Sequence, residues 1–203
     1  MAKSGRPTAL PEESVDADRV LAFVNTLASR PAPAPEERLT SYDALVDWAK
    51  KQHLVSAAAA ERLSAAAKRH PQQAAAVLAR AKEFREALNA LAVAIEQERQ
   101  PSTAVLDTIG GCLATAYAHG RLVPHDGGLQ WIAGAEDDLD RILWEVGSAA
   151  GRLVLSPRIR RIRSCAADTC GWWFLDDTKN HSRRWCDMKT CGNREKIKRF
   201  RSK

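Results

Sequence analysis

The sequence predicts an α+β protein: a mainly helical N-terminal domain with one β-hairpin, followed by a small C-terminal module built on four cysteines. Three observations predict this class. Long segments carry apolar residues at helical spacing, an Asp-Gly turn lies between two apolar runs, and two cysteine pairs lie near the C-terminus. With 203 residues, 45% of them hydrophobic, the chain is long enough for one domain and a small module.

The first segment predicts a tail and two helices. Residues 1–14 contain two prolines and no periodicity, so they are predicted to be a disordered tail. Residues 16–29 favour a helix, with a strand through residues 21–25 as the alternative. Alternating prolines in residues 30–35 interrupt the pattern. A second helix should follow, where Thr40 and Asp43 have the spacing of a capping box.

The middle of the chain carries the clearest helical pattern. Residues 56–69 are rich in alanine and predict a short helix, and Pro71 suits the first position of the next one. That helix runs towards Pro101, and we expect its charged residues, including Arg85, to stay mostly off the apolar stripe. The stripe steps by three and four residues through Val77, Ala81, Phe84, Leu88, Leu91 and Ile95.

Two further helices and the hairpin complete the N-terminal domain, residues 15–156. Residues 102–117 predict a helix in which Cys112 is a small buried residue. Residues 117–133 flank an Asp-Gly turn and predict the hairpin, and residues 137–155 predict the last helix before Pro157. The domain has no nucleophile with a base, no phosphate loop and no HExxH pattern, so we do not expect an enzyme. A site assembled across the fold is the alternative.

The C-terminal module, residues 157–203, is strongly basic. It has 14 Lys and Arg against 5 Asp and Glu, a net charge of +9, whereas residues 1–156 have a net charge of −3. A solvated surface would explain such a segment. Because the basic residues share a short module with four cysteines, a polyanion partner is the better interpretation.

The cysteine spacing predicts a structural zinc site. Cys165 and Cys170 form one pair, Cys186 and Cys191 form the other, and each pair is separated by four residues. No export signal precedes the domain, which favours free thiols over two disulfides. Four thiolates close a tetrahedron around one Zn²⁺ and leave no catalytic position open. An iron–sulfur cluster and replacement of one sulfur by His181 are the alternatives.

The segment after the last cysteine predicts a basic helix. At helical spacing, Ile197 and Phe200 would face the small core of the module, against Phe174. Basic residues would cover the rest of the helix and the preceding loop, and we expect nucleic-acid contacts from Arg183, Arg184, Arg194, Lys196, Lys198, Arg199 and Arg201. Which of them contact phosphates and which contact bases is left open.

The same residues resemble a known family. The run Cys191-Gly192-Asn193-Arg194, with Arg183-Arg184-Trp185-Cys186 before it, resembles the CGNR zinc finger. The stretch Phe174-Leu175-Asp176-Asp177 is also similar to that family. The first domain is similar to the ABATE domain, through residues 23–26, 39–41 and Trp48. The resemblance implies a bacterial stress-induced transcription regulator, zinc on the four cysteines, and a finger that binds DNA.

These observations predict a cytoplasmic regulator that binds duplex DNA through its zinc finger. The helical domain would sense a small molecule or form a homodimer, and no membrane partner is expected because no apolar run is long enough to span a bilayer. Asn25 and Trp48 are the candidate ligand contacts, although a structural role for Asn25 is favoured. The alternatives are a protein that binds RNA or single strands by stacking on Trp172 and Trp173, and a protein-interaction module.

Overall fold

A computed structural model describes residues 11–125, 127–135 and 137–201. In these residues the chain forms seven α-helices and six short strands, and the strands pair into three separate two-stranded antiparallel sheets. The predicted mainly helical class with a hairpin is therefore confirmed, and two further small sheets are added to it. In the described part of the chain, no helix has both the length and the apolar character that crossing a membrane requires.

The first half of the chain is mostly helical. Helix α1 already begins at Pro11, so residues 11–14 are helical rather than a disordered tail; residues 1–10 of that predicted tail lie outside the described residues. Proline suits the first turn of a helix because its missing N–H has no partner there. The elements are α1 (Pro11–Val24), β1 (Leu27–Ala28), β2 (Glu36–Glu37), α2 (Tyr42–Lys51), α3 (Ala57–Arg69) and α4 (Pro71–Glu96).

Helix α1 ends earlier than the periodicity predicts, and α2 is capped by a different residue. The Thr26 hydroxyl donates to the carbonyl of Phe23 at 2.7 Å, and the chain then turns into β1, so the helix stops at Val24 instead of residue 29. The predicted capping box of Thr40 and Asp43 is wrong by one position. Ser41 accepts the hydrogen bond from the Ala44 N–H at 3.1 Å.

Helix α4 is the central helix of the core. It begins at Pro71, as predicted, and most of the predicted apolar stripe is buried, with Ile95 half-buried at its end. Arg85 departs from the prediction because its side chain is only 3% exposed. The periodicity could not reveal this, since the bidentate partner of Arg85 is Glu37, which lies 48 residues earlier in the chain.

The second half contains the hairpin and the finger. Strands β3 and β4 form the predicted hairpin, with Leu122 opposite Trp131. Helix α6 is shorter than the predicted 137–155 segment. The elements are α5 (Thr103–Ala118), β3 (Gly120–His125), β4 (Gly128–Ala133), α6 (Arg141–Val154), a 3₁₀ turn (Pro157–Arg161), β5 (Ile162–Ser164), β6 (Trp173–Leu175), a π-helical turn (Met188–Gly192) and α7 (Asn193–Arg201).

The finger shares its core with the helical domain. Strand β6 points Trp173 and Leu175 into the main core, where Ile162 of β5 also lies. The residue between them, Phe174, points the other way, towards Cys165 and the rest of the finger. This alternation follows from the pleat of a strand. The small β5–β6 sheet therefore joins the two parts of the chain through one continuous apolar contact.

Candidate metal centre and nucleic-acid interface

Short elements of the finger bring the four cysteines together. Cys165 follows β5, Cys170 precedes the turn at Gly171, Cys186 lies in the loop after β6, and Cys191 lies in the π-helical turn. Gly171 has a φ of 64°, a conformation that costs a glycine little. Cys165 and Cys191 are buried, and the other two are half-buried. The cluster is therefore protected from solvent but lies close to the surface.

The arrangement of the sulfurs fits a zinc ion. All four sulfur atoms lie within 4.8 Å of one another, and the Cys186 sulfur is 3.7 Å from the sulfurs of both Cys170 and Cys191. Zn–S bonds of about 2.3 Å place the corners of a tetrahedron about 3.8 Å apart. All four are free thiols rather than disulfides. The cluster therefore makes one closed, structural zinc site.

Polar hydrogens surround these sulfurs. The backbone N–H of Cys186 donates to the Cys165 sulfur at 3.4 Å, and Arg194 donates to the Cys191 sulfur at 3.5 Å. Burial opposes ionisation of Cys165, but backbone N–H groups outweigh it and lower the pKa of this thiol. Burial raises the pKa of Cys170 to about 11. Metal binding must therefore remove a proton that the free Cys170 thiol would keep at neutral pH.

Comparison with protein families agrees with this geometry. The model of the CGNR zinc finger matches residues 161–203, which include all four cysteines. The model named ABATE, described as "Putative stress-induced transcription regulator", matches residues 17–157. This second match covers most of the chain. The chain belongs to the ABATE family. No curated protein matches this ABATE protein at a significant level.

The CGNR residues have local structural roles in this ABATE protein. A Cβ atom on Gly192 would lie 2.9 Å from the Met188 sulfur, so glycine lets this methionine pack closely against the turn after Cys191. Asn193 opens α7, and its side-chain amide donates to the carbonyl of Lys189 at 3.1 Å. Together with the contact of Arg194 on the Cys191 sulfur, these residues tie the start of α7 to the cysteine cluster.

Two of the arginines that were predicted to contact nucleic acid stabilise the loop before Cys186. The Arg183 guanidinium lies over Phe174, 4.5 Å from the ring centre, and donates to the carbonyls of Trp185 and Cys186. The backbone N–H of Arg183 donates to buried Asp176 at 3.0 Å. Arg184 lies over the Trp185 ring at 5.4 Å. Both arginines are exposed, so these contacts do not bury their charge.

The prediction that Ile197 and Phe200 face the core of the finger is wrong. Ile197 is 53% exposed and Phe200 is 82% exposed, and α7 buries no residue. Phe174 instead packs with Cys165, Ala167 and Cys191. The cysteine cluster already fills the small core, so the helix projects outward. Its apolar residues therefore lie beside the predicted basic contacts, Arg194, Lys196, Lys198, Arg199 and Arg201.

Asn25 holds the finger against the helical domain. Its side-chain amide donates to the carbonyl of Trp173 at 2.9 Å and accepts from the N–H of Trp173 at 2.8 Å. These two hydrogen bonds have the pattern of a β-ladder, in which the Asn25 side chain takes the place of a neighbouring strand. Both polar atoms of the Asn25 amide are therefore used by the protein itself, which is the structural role favoured by the sequence.

We expect Asn25→Ala to lower the free energy of unfolding by about 2 kcal/mol, because it leaves the buried N–H and carbonyl of Trp173 unpaired. Urea unfolding followed by tryptophan fluorescence measures this. Gln72→Ala, at an exposed position of α4, is the control and should change stability by less than about 0.5 kcal/mol. Equal effects of the two variants would contradict the role of Asn25.

The tryptophans of the predicted sites lie in different surroundings. Trp173 is 4% exposed, and its indole N–H donates to Asn89 at 2.8 Å, so its ring has no free face for a base. Trp172 is half-buried, and the Arg38 guanidinium lies 5.4 Å from its ring centre. Trp48 is half-buried and packs on Phe23. Arg38 and Asn89 were not predicted from the sequence, because no sequence pattern links them to the tryptophans they contact.

Proposed function

We propose that this ABATE protein is a zinc-dependent transcription regulator whose finger binds duplex DNA. The observation that carries this proposal is that α7, an exposed basic helix, begins two residues after Cys191, a cysteine of the zinc site. Zinc held by Cys165, Cys170, Cys186 and Cys191 would fix one end of the helix. Helices presented in this way enter the major groove of DNA.

The charge and exposure of α7 support this proposal. The helix NREKIKRFR carries five basic residues and one acidic residue. Exposed Ile197 and Phe200 add an apolar surface of the kind that contacts thymine methyl groups. The 3₁₀ turn of the same module carries three further arginines, and two of them, Arg158 and Arg161, pair with Asp177. Attraction to phosphates would supply most of the affinity, and the apolar residues would contribute to selectivity.

The basic residues divide into two groups. Arg183 and Arg194 contact the finger itself, and Lys198 pairs with Asp168. Within the described residues, Lys196 and Arg201 have no hydrogen-bond or ion-pair partner. We therefore assign direct phosphate contacts first to Lys196 and Arg201, with Arg184, Lys198 and Arg199 beside them.

The helical domain is proposed to form a homodimer. One face of the hairpin carries Leu122, Leu129 and Trp131, and Leu122 and Leu129 are 60% and 71% exposed. Tyr117 of α5 continues this surface by packing on Trp131 at 5.6 Å. Helix α5 has a single charged residue in its sixteen. A second copy of this face would cover the patch and place two fingers on one DNA site.

We propose residues 15–156 and 157–203 as the regulatory and DNA-binding units of one chain. A regulator acts on chromosomal DNA, which supports a cytoplasmic protein without a catalytic role. A protein-interaction module remains the alternative outcome of the experiment below.

Selection of bound duplexes from a random DNA pool tests the proposal. Zinc-loaded full-length protein is used at about 150 mM salt, because non-specific phosphate binding dominates at low salt. We expect an enriched inverted repeat that disappears when EDTA removes the zinc. No enrichment from protein that holds one zinc per chain would contradict DNA recognition.

The double variant Lys196→Ala/Arg201→Ala should weaken binding to all DNA sequences alike. Losing two phosphate contacts should reduce the slope of log affinity against log salt by about 2. Fluorescence anisotropy with the selected duplex at several salt concentrations measures both effects. The matched control is Lys68→Ala/Arg69→Ala on α3, which removes the same charge from exposed positions far along the chain. A control that weakened binding equally would refute the assignment to α7.

A further inference from the structure

A cavity lies where the finger meets the helical domain. Its volume is about 460 Å³. It is lined by residues of α1 and α2, by Arg38 after β2 and by Trp172 immediately before β6. Its size lies within the range of small-molecule sites. The lining residues that carry the argument are Asn25, Arg38, Asp47, Trp48, Lys51 and Trp172.

Two tryptophans supply flat walls. Trp48 is held in place by Phe23, whose ring centre is 5.3 Å away. Trp172 lies on the finger side of the same cavity. Both rings are half-buried, so each leaves apolar surface for a ligand. Planar aromatic molecules bind to such walls by stacking or edge contacts.

The charged groups at the cavity favour an anion. Arg38 and Lys51 are the cations of the lining, and Asp47 is its carboxylate. Among the described residues, the ion-pair partner of Arg38 is Glu36, in a contact in which the two side chains are 46% and 62% exposed; its guanidinium also lies near the Trp172 ring. Such a pair is weak and can exchange its partner. The Asn25 amide is already bonded to Trp173, so it serves as a fixed wall rather than a ligand contact.

The cavity is linked to the metal centre through shared residues. Arg38 and Trp172 also line a second cavity of about 430 Å³, whose other wall contains Cys170, Cys186 and Arg194. Trp172 precedes Trp173, the residue that Asn25 holds. A ligand that moved Trp172 would therefore act on the strand that docks the finger and on the turn that carries Cys170.

We propose that this cavity binds a small planar aromatic carboxylate, with its ring against Trp48 and Trp172 and its carboxylate on Arg38. Binding there changes the affinity of the finger for DNA. The second statement rests on the proposed DNA binding, whereas the first does not. Ligand binding and DNA binding are coupled in this way when the ligand has different affinities for two positions of the finger.

Isothermal titration calorimetry of the zinc-loaded full chain with 2-naphthoate tests the binding. We expect saturable binding at or below about 1 mM, and binding about tenfold weaker for Trp172→Ala and for Arg38→Gln, which lose a ring contact and a charge-assisted hydrogen bond. Arg38 takes part in an exposed ion pair, and glutamine keeps a polar side chain at that position. We therefore expect Arg38→Gln to fold as the unchanged protein does. Zinc content and near-UV circular dichroism confirm that each variant is folded.

Two controls define the chemical class. Uncharged 2-naphthalenemethanol should bind about tenfold more weakly than the carboxylate. Arg99→Gln, which makes the same exchange as Arg38→Gln at an exposed position after α4, should leave naphthoate binding unchanged. Absence of binding, equal binding of the uncharged probe, or binding unaffected by Trp172→Ala and Arg38→Gln would overturn the site.

The coupling is measured as the affinity for the selected duplex with and without saturating 2-naphthoate. A change of about threefold or more, absent in Arg38→Gln, supports it. Unchanged DNA affinity in protein that binds the probe would overturn the coupling and leave the binding site intact. Probe binding by a protein that recognises no DNA would contradict the proposed function and not the site.

Discussion

Replacing Cys191 with serine is expected to abolish zinc binding and unfold the finger. Cys191 is buried in the cluster, and the first turn of α7 depends on it. A short finger has little core of its own, so metal binding supplies much of its folding free energy, about 10 kcal/mol or more for structural zinc. Zinc content by a chromogenic chelator and the near-UV circular dichroism of the tryptophans measure the loss.

Cys112→Ser is the matched control for this change. Cys112 is half-buried on α5, where it packs against the main core, and it does not belong to the group of four clustered cysteines. We expect the control to retain one zinc per chain. The helical domain of the Cys191 variant should keep its far-UV signal but lose stability, because Trp173 and Leu175 belong to its core. Full zinc binding by the Cys191 variant would refute the site.

Replacing Arg85 with alanine is expected to destabilise the helical domain by about 2 to 3 kcal/mol, because it leaves a cavity and removes the charged hydrogen-bond donor of Glu37, whose side chain is only 28% exposed. Arg85 is almost fully buried and makes a bidentate pair with Glu37, at 2.7 and 2.8 Å. It also donates to Glu86 at 2.9 Å and to the Thr26 hydroxyl at 3.2 Å. Urea unfolding at neutral pH measures the change.

The pH dependence should follow from the same contacts. Burial opposes ionisation of Glu37 and Glu86, but hydrogen bonds from Arg85 and Arg30 outweigh it and lower the pKa of both carboxyls. Groups with a lowered pKa in the folded state stabilise the protein above their unfolded pKa, about 4.3, and that stabilisation is lost as pH falls through the folded value. Unfolding free energies between pH 7 and pH 3 should therefore fall less steeply in Arg85→Ala.

Arg80→Ala is the control on the same helix. Arg80 pairs with Asp140, but its side chain is 51% exposed, so we expect a cost of at most about 1 kcal/mol. The acid dependence of this control should match that of the unchanged protein. Equal costs for the two arginines would mean that burial of Arg85 does not decide its contribution.

Much of the fold was predictable because local patterns determine it. The hydrophobic stripe of α4, the proline at its start and the Asp-Gly turn of the hairpin each specify backbone conformation over a few residues. The cysteine spacing likewise identified the cluster whose sulfurs lie within 4.8 Å of one another. Element ends were less predictable, as at α1, where side-chain hydrogen bonds of Thr26 stop the helix before its periodicity does.

The site was only partly predictable. Spacing identified the basic character of α7 but assigned Ile197 and Phe200 to a core that the cysteine cluster already fills. It treated Trp172 and Trp173 alike, although β6 directs Trp173 into the helical domain and leaves Trp172 at a cavity. The pleat of a strand directs neighbouring side chains to opposite sides. Only the docking of β6 on the helical domain determines that Trp173, and not Trp172, is covered.

The sequence by itself determined the helices, the hairpin, the zinc ligands and the excess positive charge of the finger. Each of these depends on residue types at short separations, where backbone geometry brings them together. Only the tertiary structure decided that Arg85 is buried, that Asn25 pairs with Trp173 and that Arg38 meets Trp172. These contacts join residues far apart in the chain, and burial and packing in three dimensions bring them into reach.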